Sequence, residues 1–500
     1  MLTRQSNHRP IDGALLRSAF LSGLSGKVCI YSSHVELSRA VNSTVFPSDR
    51  SPWTKFIALM LAISALLVSP VFSQESLVAS VNPNGASDPN TTIAPEQSID
   101  LTSETNPPLP VAETDEPVES TPATKMDSGI PRRFHYQLRL SVRSVYDDNI
   151  NLFATNRISD FYTSIEPSVS LGFGDTEGRT ENYIRLDYMP AIFLFADHSE
   201  NDSVQHLMRL EGQYRVNRLT LTLSQMVQIM DGVDVQTQNT VGGLDQQVNL
   251  DVAGRTRFNI YSTHLNAAYY VTGKTFLSAG ADYTDTHYSS LISSQIITGN
   301  FYVNYNYSQK MVVGVGGTAG YDRVDAPNPD QNFEQANVRL SYQATGKLDF
   351  AASGGVEFRH FEGDVRDQYV SPVFELGMNY TPFDGTKISV TANRRTLNSA
   401  VLAGQDYSVT NISVGLQQRM LQRFFLGLNA GYENSDYFST VGTAGATRND
   451  DYFFVQPSIA VSVTRFWTVG AYYLHRVNSS TFDAFDFHDN QVGVRATVEF

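Results

Sequence analysis

Thiols, tryptophan and charge are all scarce in this chain. Its 500 residues hold one cysteine and two tryptophans, and charged residues make up 17% where ~25% is usual. The single cysteine, Cys29, lies upstream of the apparent export signal described below. The exported chain would therefore have no disulfide and no thiolate metal site, which suits an oxidising compartment. No apolar run reaches the ~20 residues of a membrane-spanning helix. Basic residues are outnumbered 36 to 51, giving a net charge of −15 with no basic stripe to offset it, which argues against nucleic acid as a partner. The downstream chain has no Gly-x-Ser-x-Gly elbow and no His-Glu-x-x-His pair, so neither motif supports an enzyme, and nothing suggests a cofactor. Long helical heptads are missing too, which excludes a trimeric efflux channel.

What the chain does have is Phe (29), Tyr (25) and many small polar residues, at 41% hydrophobic content and a mean hydropathy of −0.23. It is too polar for many membrane helices and too poorly charged for an ordinary soluble surface. A transmembrane β-barrel produces this mixture, because half of each strand faces lipid and half faces water.

Four segments follow from composition. Residues 1–53 read as an N-terminal extension, as a misassigned start would give. Residues 54–73 read as a signal peptide: Lys55 precedes the apolar run Phe56–Val68, and Val71 and Ser73 fit the −3 and −1 cleavage positions. Residues 74–130 are rich in Pro, Ser, Thr, Asp and Glu with almost no aromatics. Such a segment has too little apolar surface to offset ordering entropy, and is expected to be a disordered periplasmic linker. Residues 131–500 read as the barrel.

Period-two alternation starts at FHYQLRLSV, with Phe134, Tyr136, Leu138, Leu140 and Val142 set against His135, Gln137, Arg139, Ser141 and Arg143. Eighteen such segments follow, from 134–146 to 487–500, although the weak stretch 386–420 would leave sixteen if one hairpin were lost. Short connections such as 216–218, 345–347 and 464–466 alternate with long ones such as 231–254 and 438–449. The fold class expected is an all-β, antiparallel up-and-down transmembrane barrel of 16–18 strands in the bacterial outer membrane, with outer-membrane lipid and lipopolysaccharide around it. In the 160–174 segment, Pro167 lacks an N–H and is expected to cost a ladder bond or to mark a bulge. The terminal alternation through Val494, Val498 and Phe500 is similar to the signal read by the barrel assembly machinery.

The stretch SVYDDNINLFATNRISDFYTSIEPSVSLGFG resembles the opening of a family of bacterial outer-membrane β-barrel porins. The resemblance rests on Tyr146-Asp147-Asp148-Asn149-Ile150, on Ser159-Asp160 with Pro167, and on a second hairpin ending in an Asn-Asp turn at Asn201-Asp202. It covers roughly 134–216. It implies location and fold more than substrate, and some members occur with exopolysaccharide secretion genes.

Strand parity points Arg139, Arg143, Arg185, Arg209, Arg215, Arg339, Arg359, Glu357 and Glu375 into the lumen, with Asn300, Tyr302, Asn304 and Asn306 on one strand. Both charge signs occur, so no single-sign selectivity ring is evident. The longest loop, 231–254, carries Asp231, Asp234, Asp245 and Asp251 without a basic residue. Folded inward, it would face lumen arginines at a constriction; its composition equally suits a solvated extracellular loop. In the last loop, Asp483, Asp486, His488 and Asp489 are a set that would hold a divalent ion or, equally, stand solvated. The expected function is a porin-like channel for passive passage of small polar solutes or exopolysaccharide. The competing reading is a non-conducting structural or adhesive barrel.

Overall fold

Alternating apolar and polar side chains fit a wall that separates lipid from water, and the chain builds one. The computed structural model describes residues 134–176, 182–232, 248, 250–252, 254–363, 368–441 and 447–500. The expectations for residues 1–53, 54–73 and 74–130 lie outside the described residues. Eighteen strands follow in order: β1 Phe134–Asp147, β2 Asp160–Gly174, β3 Tyr183–Phe195, β4 Ser203–Val216, β5 Leu219–Gly232, β6 Thr256–Tyr270, β7 Thr275–Tyr288, β8 Ser294–Ser308, β9 Met311–Val324, β10 Gln331–Thr345, β11 Leu348–Phe361, β12 Tyr369–Tyr380, β13 Thr386–Asn398, β14 Gln405–Met420, β15 Phe424–Ser439, β16 Asn449–Ser462, β17 Trp467–Ser480 and β18 Phe487–Glu499. The sixteen-strand alternative is therefore wrong: 386–420 forms a full hairpin, because Thr386–Asn398 pairs with Asp406–Gln418 throughout.

Each strand pairs antiparallel with its sequence neighbour, and β1 closes on β18 with Arg139 opposite Glu499 and Asp147 opposite Gln491. Phe500 prolongs that seam by exchanging backbone bonds with Leu138 at 2.8 and 3.3 Å. Its ring is exposed on the outer face, in line with Val492 and Val494. Pro167 faces Pro190 across β2 and β3, and the ladder breaks there, between Ile165–Ile192 and Val169–Tyr188. Neither proline has an N–H to give.

The outer face is apolar and edged by aromatics. Phe134, Tyr136, Phe173, Tyr269, Tyr305, Phe466 and Trp467 lie exposed at the end with short turns, and Tyr146, Phe161, Tyr321, Tyr432 and Tyr473 at the other. From Tyr136 to Tyr146 the strand spans ~33 Å at ~3.3 Å per residue, or ~25 Å of height at the usual tilt, which matches a barrel's lipid band. Tyrosine hydroxyls at the long-loop end reach upward, Tyr321 to Asp330 at 2.8 Å and Tyr473 to Asn490 at 2.7 Å. On the inner face, aromatics lie flat over glycines of the next strand: a Cβ at Gly316 would meet Tyr302 at 2.5 Å, and one at Gly493 would meet Tyr472 at 2.1 Å. These glycines let large rings line the wall without filling the lumen.

Face assignment is directly testable. Leu140→Arg or Val142→Arg, exposed on the outer face midway between the two girdles, is expected to cost ~2–4 kcal/mol near the midplane, whereas Gln137→Arg or Thr497→Arg is tolerated. Heat-modifiable gel mobility of the refolded variants reads this, and equal behaviour at all four sites contradicts the assignment.

Candidate functional site: the lumen and its mouth

Register places all nine of the expected lumen residues on the inward parity. Most of their charge is neutralised by a partner two residues along the same strand or on a nearby strand. Glu166 is held by Arg143 at 3.2 Å and also by Arg495. Arg185 meets Asp187 at 2.9 Å, Arg209 meets Glu211 at 3.2 Å, and Arg139 approaches Glu499 at 3.6 Å. Arg359 binds Glu357 at 2.9 Å and accompanies Asp322 at 4.0 Å. Arg339 lies over the Tyr302 ring, 4.1 Å from its centroid, and donates to Asn304 at 2.8 Å and Ser278 at 2.7 Å. Glu375 sits opposite Ser353 on β11 and Asn393 on β13. Arg139 and Arg215 are exposed toward the short-turn end. The wall is thus polar but locally balanced in sign.

The long-loop end is different: here residues 248 and 250–252 of the β5–β6 connection enter the barrel. Val248 and Leu250 are buried in a cluster with the inward-facing Val145, Tyr162, Phe193, Tyr452 and Leu474. Val252 packs with Met230, Phe258, Ile260, Tyr288 and Ala400. Between them Asp251, with no exposed surface, accepts from Ser399 Oγ at 2.7 Å, Ala400 N at 2.6 Å and Tyr437 Oη at 3.0 Å. Arg448, equally buried, donates to the carbonyls of Asp251 (2.7 Å) and Leu250 and also binds Asp450. The Phe485 ring lies 3.4 Å below its guanidinium carbon. The β13–β14 tip is pinned in turn by Asn328, which donates to Ser399 O at 3.2 Å and accepts from Gly404 N at 2.6 Å. Three segments of the long-loop end therefore meet at one buried carboxylate.

Of the two described acids among the four expected at a constriction, Asp251 is placed in the lumen and Asp231 is not. Asp231 lies near the end of β5 on the outward parity opposite Arg257, and its backbone carbonyl accepts from Ser203, Gln205 and Arg255. Asp234 and Asp245 fall outside the described residues. The cation facing Asp251 is not one of the wall arginines but Arg448, from the β15–β16 connection. Sequence reasoning missed it, although 440–449 holds one cation and no acid while 231–254 holds four acids and no cation.

The residues behind the family resemblance build loops. Asn149, fully buried, bridges Phe153 O and His488 O, both at 3.0 Å. Asp160 accepts from the backbone of Phe161 and His198, and Asp202 from Phe195 N at 2.7 Å. The acids of the last loop do not converge: Asp486 caps Ser480 N, while Asp489 turns inward to Arg476. Asp147, Asp148 and Asp489 do approach within 4.8 Å, each already bonded, to Gln491, Asn490 and Arg476 respectively.

No family model and no curated protein matches the chain. Solved outer-membrane proteins align over most of the barrel at low similarity. OpdK of Pseudomonas aeruginosa is 11% identical, covering 73% of this chain and 99% of that one, with a TM-score of 0.38. OccAB4 of Acinetobacter baumannii is 9% identical, covering 73% and 98%, at 0.39. A loop-deleted OmpT of Vibrio cholerae is 13% identical, covering 74% and 100%, at 0.32. Neither ligand nor function carries across at such scores; the barrel stands on its own strand pairing.

Burial pushes the Asp251 carboxyl above its ordinary value of 3.8, against the pull of Arg448, Ser399, Ala400 and Tyr437. Burial also works against the charge of Arg448, but Tyr437, Asp450 and Asp251 outweigh it and hold the guanidinium above its usual range. The docked loop therefore binds a proton more tightly than a released one. Docking strengthens as pH falls through the raised value, and the gain is complete below 3.8. Protection factors at Ala400 and Leu402, with the intrinsic pH dependence of amide exchange divided out, are expected to rise progressively on acidification, and Asp251→Asn removes that rise. Arg448→Met leaves two carboxylates buried without their cation, a loss of ~3–5 kcal/mol, and the same amides should then exchange as freely as loop amides.

Proposed function

We propose that this chain is an outer-membrane channel that passes small polar solutes passively, its width set by the in-folded β5–β6 segment. The observation that carries the reading is the pairing of a polar, charge-balanced inner wall with a loop latched across one mouth. An eighteen-strand barrel is wider than side chains alone fill, so a segment spanning the mouth becomes the size-determining element. Mixed charge on the wall favours solutes of either sign or none. The Asp251 latch favours small solutes over exopolysaccharide, since a polymer has to displace Val248–Val252 before it can pass. A non-conducting barrel is the second reading, and the tight burial of Asp251 and Arg448 is what favours it.

Single-channel conductance of the refolded protein in a planar bilayer separates the two. Small, stable steps that grow at least twofold in Arg448→Met support the channel with a latched mouth. Silence from both proteins, with folding shown by heat-modifiable mobility, supports the structural reading.

A further inference from the structure

Between β12 and β13 the wall parts near its long-loop edge. β12 starts at Tyr369 and β13 runs to Asn398, yet their ladder covers only Phe374–Tyr380 against Ile388–Arg394. Beyond that point the tips of β13, β14 and β15 turn inward. Lower down, the side of these strands that carries Ile412 and Tyr432 faces lipid. At the tips the same side rests on the inner wall of β10–β12. Gln331 donates to Asp406 at 3.1 Å, Tyr369 bonds Ser408 at 3.0 Å, and Arg359 Nη2 donates to Thr396 O at 3.3 Å. Tyr369 also stacks on Phe438, with ring centroids 4.0 Å apart.

The result is a notch with two unlike lips. On β12, Val370 and Phe374 are exposed and apolar. On β13 and β14, Arg394 lies on the outward parity beside Phe374 and donates through Nη1 to Thr410 Oγ1. Its Nε is buried with no hydrogen-bond partner. A bare strand edge cannot face hydrocarbon, because its N–H and C=O groups find no partner there. An arginine on the same rim is equally out of place against acyl chains. Both features suit a polar, negatively charged occupant with an apolar tail: the guanidinium's fixed charge and its remaining N–H donors suit a phosphate oxygen, and Val370 and Phe374 continue the lipid band.

We infer that this notch binds the net-anionic phosphate headgroup of a membrane lipid through Arg394, with an acyl chain along Val370 and Phe374. The site faces the membrane rather than the lumen and is independent of whether the barrel conducts. Native mass spectrometry of the full chain in non-ionic detergent tests it, using dioleoyl phosphatidate, dioleoyl phosphatidylcholine and inorganic phosphate as probes. The expected result is one saturable phosphatidate, weakened at least tenfold in Arg394→Gln and unchanged in Arg423→Gln, which removes a charge on the β14–β15 turn. Phosphatidylcholine and inorganic phosphate should bind far more weakly. Equal phosphatidate binding by wild type and Arg394→Gln overturns the proposal, as does equal loss in Arg423→Gln or inorganic phosphate binding as tightly as the lipid. If Arg394→Gln does not fold, Arg394→Met suits a lipid face and is read by the same outcomes.

Discussion

In a bilayer every backbone N–H and C=O needs a partner within the protein, and this requirement governs the whole wall. It is why eighteen strands close into a ring and why Phe500 exchanges backbone bonds with Leu138. It also explains where the wall weakens. The facing Pro167 and Pro190 lack N–H groups, so neither leaves a donor unsatisfied in the interrupted ladder. At the β12–β13 seam, Arg359 supplies from inside a donor to the Thr396 carbonyl that β12 no longer provides.

With the wall satisfied by backbone pairing, side chains on the inner face are free to set the electrostatics. Most wall arginines have an acid two residues along or on the next strand, so charge is neutralised locally and no single-sign field runs along the lumen. The mouth follows different physics. Asp251 and Arg448 are removed from water altogether, and each is tolerated only because hydrogen bonds from both chain ends of the latch satisfy it. A buried pair of this kind specifies one docked arrangement of three loops, where apolar packing by Val248 and Leu250 alone would allow several.

The barrel was legible from sequence because a period of two leaves its mark on every strand. Asp160–Gly174, Ser203–Val216, Thr275–Tyr288 and Ser294–Ser308 could be bounded to the residue, since turn residues flank each alternating run. Inward parity was legible for the same reason. The mouth was not: its contacts join residues almost two hundred positions apart, such as Asp251 and Arg448, and no periodicity encodes such a pairing. The complementary charge of the two loops was the one available trace. Nor did alternation reveal the inward bend of β13–β15, because Arg394, Thr396 and Ser408 keep strand parity while their surroundings change from lipid to inner wall.

The claim that the β5–β6 segment lies latched inside the barrel has a direct test. Val252 and Ala400 pack in one buried cluster beside Asp251, so cysteines at both positions, in a chain with Cys29 replaced by serine and with Asp251 and Arg448 intact, should form a disulfide on mild oxidation of the membrane-inserted protein. Rapid, near-complete cross-linking, seen as a shift in unfolded gel mobility that reductant reverses, is the expected result. Two free thiols in a demonstrably folded barrel would contradict the account.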